Sequence, residues 1–215
     1  MFVILHWIDL QRPLPLKPGA VLDHAECERA SRFVFEADAR RWIHYRTALR
    51  LTLGLELGAD PAELKFIASD FGKGRLAAPH QGVEFNVSHS ERLAALAISR
   101  GGPVGVDLEP LDRARGLLDL AAAFCHPEEI AQLPDEPQAR AYDLIKIWTG
   151  KEALLKALGI GLMFPPQEIL IEDDRGRAHL SGLDDFRLLR PPERFGHLAA
   201  VAVTNEISHL VERST

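Results

Sequence analysis

Cysteine is scarce in this 215-residue chain, which carries only Cys27 and Cys125. Two thiols make no disulfide framework, and such sparing use fits a reducing cytosol. An excess of positive charge is missing too. Asp and Glu number 31 against 25 Lys and Arg, for a formal net charge of -6. General nucleic-acid binding wants a basic face, so that class is set aside. No stretch approaches the roughly 18 consecutive apolar residues that a membrane span needs. The opening MFVILHWIDL is apolar but short, has no basic region ahead of it and contains Asp9. It reads as a first strand rather than a signal peptide. What is present is 47% hydrophobic and 26% charged residues, a globular composition able to bury a sizeable core. The expectation is a soluble cytoplasmic protein with neither a membrane nor a nucleic acid as partner.

The chain resembles itself. At an offset of 105 positions, ALRLTLGLELG (48–58) falls on ALLKALGIGLM (153–163) and RLAALAIS (92–99) falls on HLAAVAVT (197–204). The same offset pairs Pro61 with Pro166 and Glu63 with Glu168. Each half then reads as a long helix followed by strands. Apolar spacing predicts helices over 36–57 and 139–158, each stopped near a glycine. Strands are predicted at LKFIAS (64–69), ILIED (169–173), VEFNVSH (83–89), LAALAIS and LAAVAVT, the last two as candidates for antiparallel pairing. SRGGPVG (99–105) is the turn-rich joint. The predicted fold is α+β: two pseudo-equivalent subdomains, 1–103 and 104–215, each a small mainly antiparallel sheet packed with a long helix. An active site is expected at their interface.

Just past the joint, GVDLE places Asp107 and Glu109 two residues apart on a strand, hence on one face. Like charges held together call for a cation between them. In WTGKEALLKALGIGL, Glu152 and Lys156 stand four apart on a predicted helix, again on one face. Three carboxylates brought together would make the oxygen-rich site that Mg²⁺ prefers, and Lys156 could neutralise phosphate beside it. FNVSHSERL offers Ser88, His89 and Ser90 at a strand end, good partners for phosphate oxygens. No G-x-S-x-G elbow surrounds them, which argues against a hydrolase nucleophile. DFGKGR presents Lys73 in a glycine-flanked turn. Arg40, Arg41, Arg46 and Arg50 form a basic cluster on the first helix, either a solvated face or an anion-binding patch.

Taken in order, FNVSHS, VGVDLE and WTGKEALLKALGIGL resemble the three blocks of the 4′-phosphopantetheinyl transferases of the two-subdomain Sfp type. The resemblance extends to RFVFEADARR (32–41) and FGKG (71–74). It implies transfer of the 4′-phosphopantetheine arm of coenzyme A to a serine of an acyl carrier protein or peptidyl carrier domain, releasing adenosine 3′,5′-bisphosphate. It also implies Mg²⁺, with Mn²⁺ as the substitute, held by Asp107, Glu109 and Glu152. Catalysis would rest on Asp107, Glu152 and Lys156, with Glu152 as a base for the carrier serine. Lys156, Ser88 and His89 would contact the phosphates and adenosine, Lys73 the adenine end, and Arg41 coenzyme A, with Arg29 a further contact. A pseudo-dimeric chain is expected to act as a monomer. Three departures from the family pattern stand out: Glu91 after SHS, Gly74 after Lys73, and Glu26 where some relatives carry a basic residue. Two other readings share part of this pattern: a Mg²⁺-dependent phosphotransferase on another nucleotide, and a protein that docks carrier domains without chemistry.

Overall fold

A computed structural model describes residues 1–68 and 73–214. Asp70, Phe71 and Gly72 of the DFGKGR turn therefore lie outside the described residues. The first half runs β1 (Phe2–Asp9), α1 (His24–Ser31), α2 (Glu36–Leu57), β2 (Phe66–Ala68), β3 (Gly74–Leu76), β4 (Glu84–His89) and β5 (Leu93–Ser99). The second runs β6 (Val104–Pro110), a 3₁₀ winding over Leu111–Leu120, α3 (Ala121–Phe124), α4 (Pro127–Gln132), α5 (Pro137–Leu158), β7 (Leu170–Glu172), β8 (Arg175–Arg177), β9 (Phe186–Leu189), β10 (His197–Thr204) and β11 (His209–Ser214). One sheet has the order β11-β1-β5-β4 and the other β6-β10-β9, with β2-β3 and β7-β8 as separate hairpins. Pairing within the main sheets is antiparallel except for β11, which crosses back from the second half to lie parallel to β1. The α+β expectation holds.

Alternation along the strands builds the layers. On β1, Val3, Leu5 and Trp7 enter a core shared with Val104, Val106 and Leu108 of β6 and Ala199, Val201 and Val203 of β10. Ile8 of β1, with Ala94 and Leu96 of β5, faces the opposite way, onto Ala48, Leu49 and Leu53 of α2. Ala200 and Ala202 of β10 likewise pack on Ala153, Leu154 and Leu155 of α5. The two sheets thus lie face to face, with one long helix on each outer side. Both helices are 22 residues long and both end at a left-handed glycine, Gly58 (φ 63°) and Gly159 (φ 76°), a conformation that costs glycine little.

The duplication is architectural, but the 105-residue register is not the structural one. The helices correspond at an offset of 101, end for end. In the last strands Leu93, Ala95 and Ala97 share the central core with Ala199, Val201 and Val203. An odd offset would pair inward residues with outward ones, because a one-residue slip reverses every side chain of a strand. Alanine- and leucine-rich segments slid past one another, and the intervening hairpins absorb the difference. Both cysteines are free, Cys27 exposed and Cys125 buried. Among the described residues no helix is long and apolar enough to cross a membrane.

Candidate active site

Gly105 sets the geometry. A Cβ there would lie 2.0 Å from the Ala153 carbonyl oxygen and 2.4 Å from the Ala157 nitrogen, so only glycine lets β6 rest directly on α5. Side chains two and four residues further along β6 meet the same helix. These are Asp107 and Glu109, and they face Trp148, Glu152 and Lys156, which follow one another at four-residue spacing on α5. β6 is an edge strand, and the edge of the first sheet, β4, lies against it. The Asn86 side-chain oxygen accepts from the Val106 N–H at 2.9 Å, tying the two edges together. Ser88, two residues on, reaches the same carboxylate as α5 does.

The charges at this seam are only partly matched. Asp107 Oδ1 accepts from Lys156 Nζ at 2.6 Å and from Ser88 Oγ at 3.0 Å. Glu109 Oε1 accepts from Trp148 Nε1 at 3.0 Å and from Arg113 at 2.5 Å. Lys156 Nζ stands 3.9 Å from Glu152 Oε2. Yet Asp107 Oδ2 and Glu152 Oε1 are buried with no hydrogen-bond partner. Buried polar atoms left in that state are costly, and in a native site they mark a place built for something else. Burial raises the Glu152 pKa; Lys156 opposes the rise, and the negative charges of Asp107 and Glu109 add to it. Among the described residues no three ligating side chains are drawn together tightly enough to form a metal cage by themselves. The two partnerless oxygens are nevertheless hard donors, the chemistry that a divalent cation such as Mg²⁺ takes.

His89 points to the other face of β4. Its ring packs against Tyr45 of α2 with centroids 4.2 Å apart and the ring planes tilted by 38°. Desolvation lowers the His89 pKa, the backbone hydrogen bond at Ser90 opposes this, and Lys156 lowers it further. Burial pushes Tyr45 up to about 12. Lys73, just ahead of β3, donates from Nζ to the Ala157 carbonyl at 3.1 Å and lies 3.7 Å from Glu84, so this lysine also bridges the two halves. Burial lowers its pKa and Glu84 counters. Lys73, His89, Tyr45, Trp42 and Arg29 line one cleft of about 700 Å³. Arg41 is not in it. It lines an adjoining cleft of about 610 Å³ with Glu91, sharing only Trp42, Tyr45 and His89, and it is ion-paired to Asp38. The structure thus gathers Asp107, Glu109, Glu152, Lys156 and Ser88 at one point, puts His89 and Lys73 beside it, and leaves Arg41 at the rim.

The expected arginine cluster dissolves. Arg40 pairs with Glu36 on the surface, whereas Arg46 and Arg50 turn inward onto Glu26. Arg50 is fully buried and also binds Asp23 and the carbonyls of Pro61 and Leu64. Glu26 meanwhile closes a capping box with Asp23 at the start of α1. Its departure from a basic residue therefore has a structural reason. Sequence reasoning missed Trp148, Arg113 and Asn86. The first two were findable, since Trp148 precedes Glu152 by four on the helix and Arg113 follows Glu109 by four. Asn86 was not, because its role needs the two sheet edges to meet.

Comparison with known proteins points the same way. Residues 103–201 match a family model described as the 4′-phosphopantetheinyl transferase superfamily, and residues 16–100 match one described as 4′-phosphopantetheinyl transferase, N-terminal. The chain is 38% identical to 4′-phosphopantetheinyl transferase HetI of Nostoc sp. over 67% of its own length and 62% of that protein's. It is 32% identical to a 4′-phosphopantetheinyl transferase of Bacillus subtilis over 75% of its length and 72% of the relative's. A phosphopantetheinyl transferase of Thraustochytrium sp. is 31% identical over 86% and 70%. The match to the Nostoc protein thus spans less than two thirds of that relative's length.

Proposed function

The chain belongs to the 4′-phosphopantetheinyl transferase superfamily, and from that membership we propose that it transfers the 4′-phosphopantetheine arm of coenzyme A to a serine of an acyl carrier protein or peptidyl carrier domain. The observation that carries this reading is the pair of buried, partnerless carboxylate oxygens on Asp107 and Glu152 beside the Lys156 ammonium. A donor set of that kind suits a diphosphate together with its counter-cation.

In the proposed reaction the carrier serine oxygen bonds to the phosphorus bearing the pantetheine. The bond from that phosphorus to the bridging oxygen breaks, and adenosine 3′,5′-bisphosphate leaves. Glu152 takes the serine proton. Its place beside Lys156 and Asp107, with one oxygen free of protein partners, suits it to receive that proton directly or through a water. Lys156 swings its charge from Asp107 towards the diphosphate, and Ser88 donates to a phosphate oxygen. Asp107, Glu109 and Glu152 would hold Mg²⁺, which supplies neutralisation of the charge that gathers on the diphosphate oxygens. His89 and Lys73 would receive the adenosine end in their cleft, with Arg29 and Arg41 at its margins. We take the protein to work as a cytoplasmic monomer. The proposed division is at 103/104, with the nucleotide side in the first part, the metal side in the second and β11 returning to the first sheet.

The test is the intact mass of an apo acyl carrier protein incubated with this protein, coenzyme A and Mg²⁺. The expected result is a gain of one phosphopantetheine arm that disappears with EDTA or with Asp107→Ala. No gain with several carriers, together with no binding of coenzyme A, would overturn the reading.

A further inference from the structure

The Ser88-His89-Ser90 stretch is held from the opposite half of the molecule. Ser90 Oγ lies 2.9 Å from His197 Nε2, across more than 100 residues of sequence. His197 opens β10 and is only 6% exposed. Its Nδ1 lies 2.8 Å from the Phe195 carbonyl oxygen, which can only accept. Nδ1 therefore carries a ring proton. In the neutral ring Nε2 presents a lone pair to which the Ser90 hydroxyl can donate, at a shorter distance than the 3.3 Å to its other acceptor, the Leu93 carbonyl. The same Ser90 oxygen accepts from the N–H groups of Arg92 and Leu93, at 3.3 and 3.2 Å, so it organises the whole turn between β4 and β5. The imidazole is itself fixed. Arg194 and His197 exchange both backbone hydrogen bonds around a two-residue turn at Phe195 and Gly196, whose φ values are 49° and 72°. Leu111 N–H, just past β6, donates to the Gly196 carbonyl at 2.8 Å.

We propose that His197 is a positioning residue for the coenzyme A site, acting through Ser90 to set the place of His89. This rests on the reading of the site as a coenzyme A transferase centre. The need is geometric. In that reading the nucleotide is gripped by His89 and Lys73 of the first half while its diphosphate is gripped by Lys156 and Asp107 of the second. A ligand held by both halves is held well only if their relative position is fixed to a fraction of an ångström. Ser88 and Lys73 also bridge the halves, but in this reading they must release those contacts to meet the ligand. Asn86 holds β4 to β6. At the far end of β4 the Ser90 hydroxyl, offered by the sequence as a phosphate partner, is engaged with His197 instead, so in this reading that contact is kept throughout.

Three variants and two readouts decide the matter. His197→Phe keeps a ring but removes the acceptor, Ser90→Ala removes the donor, and His197→Gln restores an acceptor. In steady-state transfer, the expected result for the first two is a KM for coenzyme A raised about tenfold with kcat within about twofold. The double variant should add nothing further, and His197→Gln should recover most of the loss. Without any ligand, the His89 ring-proton resonance should move in His197→Phe and Ser90→Ala and return in His197→Gln. An unmoved His89 resonance, or a fall in kcat equal to the rise in KM, would overturn the proposal. If wild-type protein neither binds nor uses coenzyme A, the transfer reading fails, while the His89 resonance still decides whether His197 sets its place.

Discussion

The two long helices occupy equivalent places and do different jobs. In α2 the buried cation is Arg50, and at the same helical position of α5, 101 residues on, it is Lys151. Each is fully buried. Each binds the glutamate that closes the capping box of a short preceding helix, Glu26 on α1 and Glu129 on α4. Each also donates to backbone carbonyls: Pro61 and Leu64 in one half, Phe124 in the other. This duplicated pair is structural, and its lysine is the one in the WTGKE block. One and five residues further along α5 come Glu152 and Lys156, whose counterparts in α2 are Leu51 and Leu55 rather than the Thr47 and Leu51 that the 105-residue register implies. Around Arg50 and Lys151 the carboxylates are matched; around Glu152 and Lys156 two carboxylate oxygens are not. The lesson is that charge in a buried place does not distinguish scaffold from site. Among the buried carboxylates described, the partnerless oxygens are those of Asp107 and Glu152, although His6, His44 and Arg187 each leave a buried nitrogen unpaired elsewhere.

The sharpest test of that contrast is Glu152→Gln. It should lower transfer by about 10²-fold or more while leaving stability equal or improved, because an amide relieves a buried carboxylate that lacks a full partner. Mass spectrometry of the carrier and urea denaturation of the variant read the two quantities, and a variant that loses stability with its activity would erase the distinction. The scaffold pair should behave in the opposite way. Glu129→Gln strands the Lys151 ammonium, and breaking a buried pair by removing one partner costs about 3–5 kcal/mol. Glu26→Gln should cost less, since Arg50 retains Asp23 and two carbonyls. Denaturation midpoints that rank these two the other way would break the equivalence.

Glycine comparisons give smaller effects. Gly105→Ala forces β6 off α5 and should cost about 1–3 kcal/mol, with transfer falling because Asp107 moves too. Gly58→Ala places a side chain at positive φ with open space around it, and should cost about 1 kcal/mol with no change in transfer. Equal effects on activity would show that the β6 contact does not position the site.

The smallest effect is in pH. The Glu152 pKa is raised from its ordinary 4.5. Between that value and the raised one, the native state binds more protons than the unfolded state, so stability falls as pH rises through the window and levels off above it. Metal-free wild type should show this slope relative to Glu152→Gln; parallel curves would mean that Glu152 is not desolvated. His6, whose pKa burial lowers against the pull of Glu56, works in the other direction. Its contribution is lost as pH falls through 6.5 towards the lowered value.

Much of this was readable before any coordinates. The 36–57 helix, the first strand, the turn ahead of β6, and the shared face of Asp107 and Glu109 follow from local periodicity and glycine placement. The repeat was legible as a fact but not in its register, because alanine-rich segments match at several offsets and only side-chain facing distinguishes odd from even. The arginines of α2, open in the sequence between a solvated face and an anion-binding patch, were not legible for a related reason. Four basic residues on one helix look like a patch until Glu26 and Asp23 arrive from another element.

By itself, then, the sequence determined the chemistry available: which carboxylates share a strand face, which lysine stands a turn from which glutamate, and where glycine permits a strand to lie on a helix. Those depend on spacing within one element, which the backbone periods of two and 3.6 settle. Only the tertiary structure decided which of the buried charges are spent on the scaffold and which stay unmet at the seam. That choice depends on partners dozens of residues away, and hydrogen-bond satisfaction is a property of the assembled interior rather than of any segment.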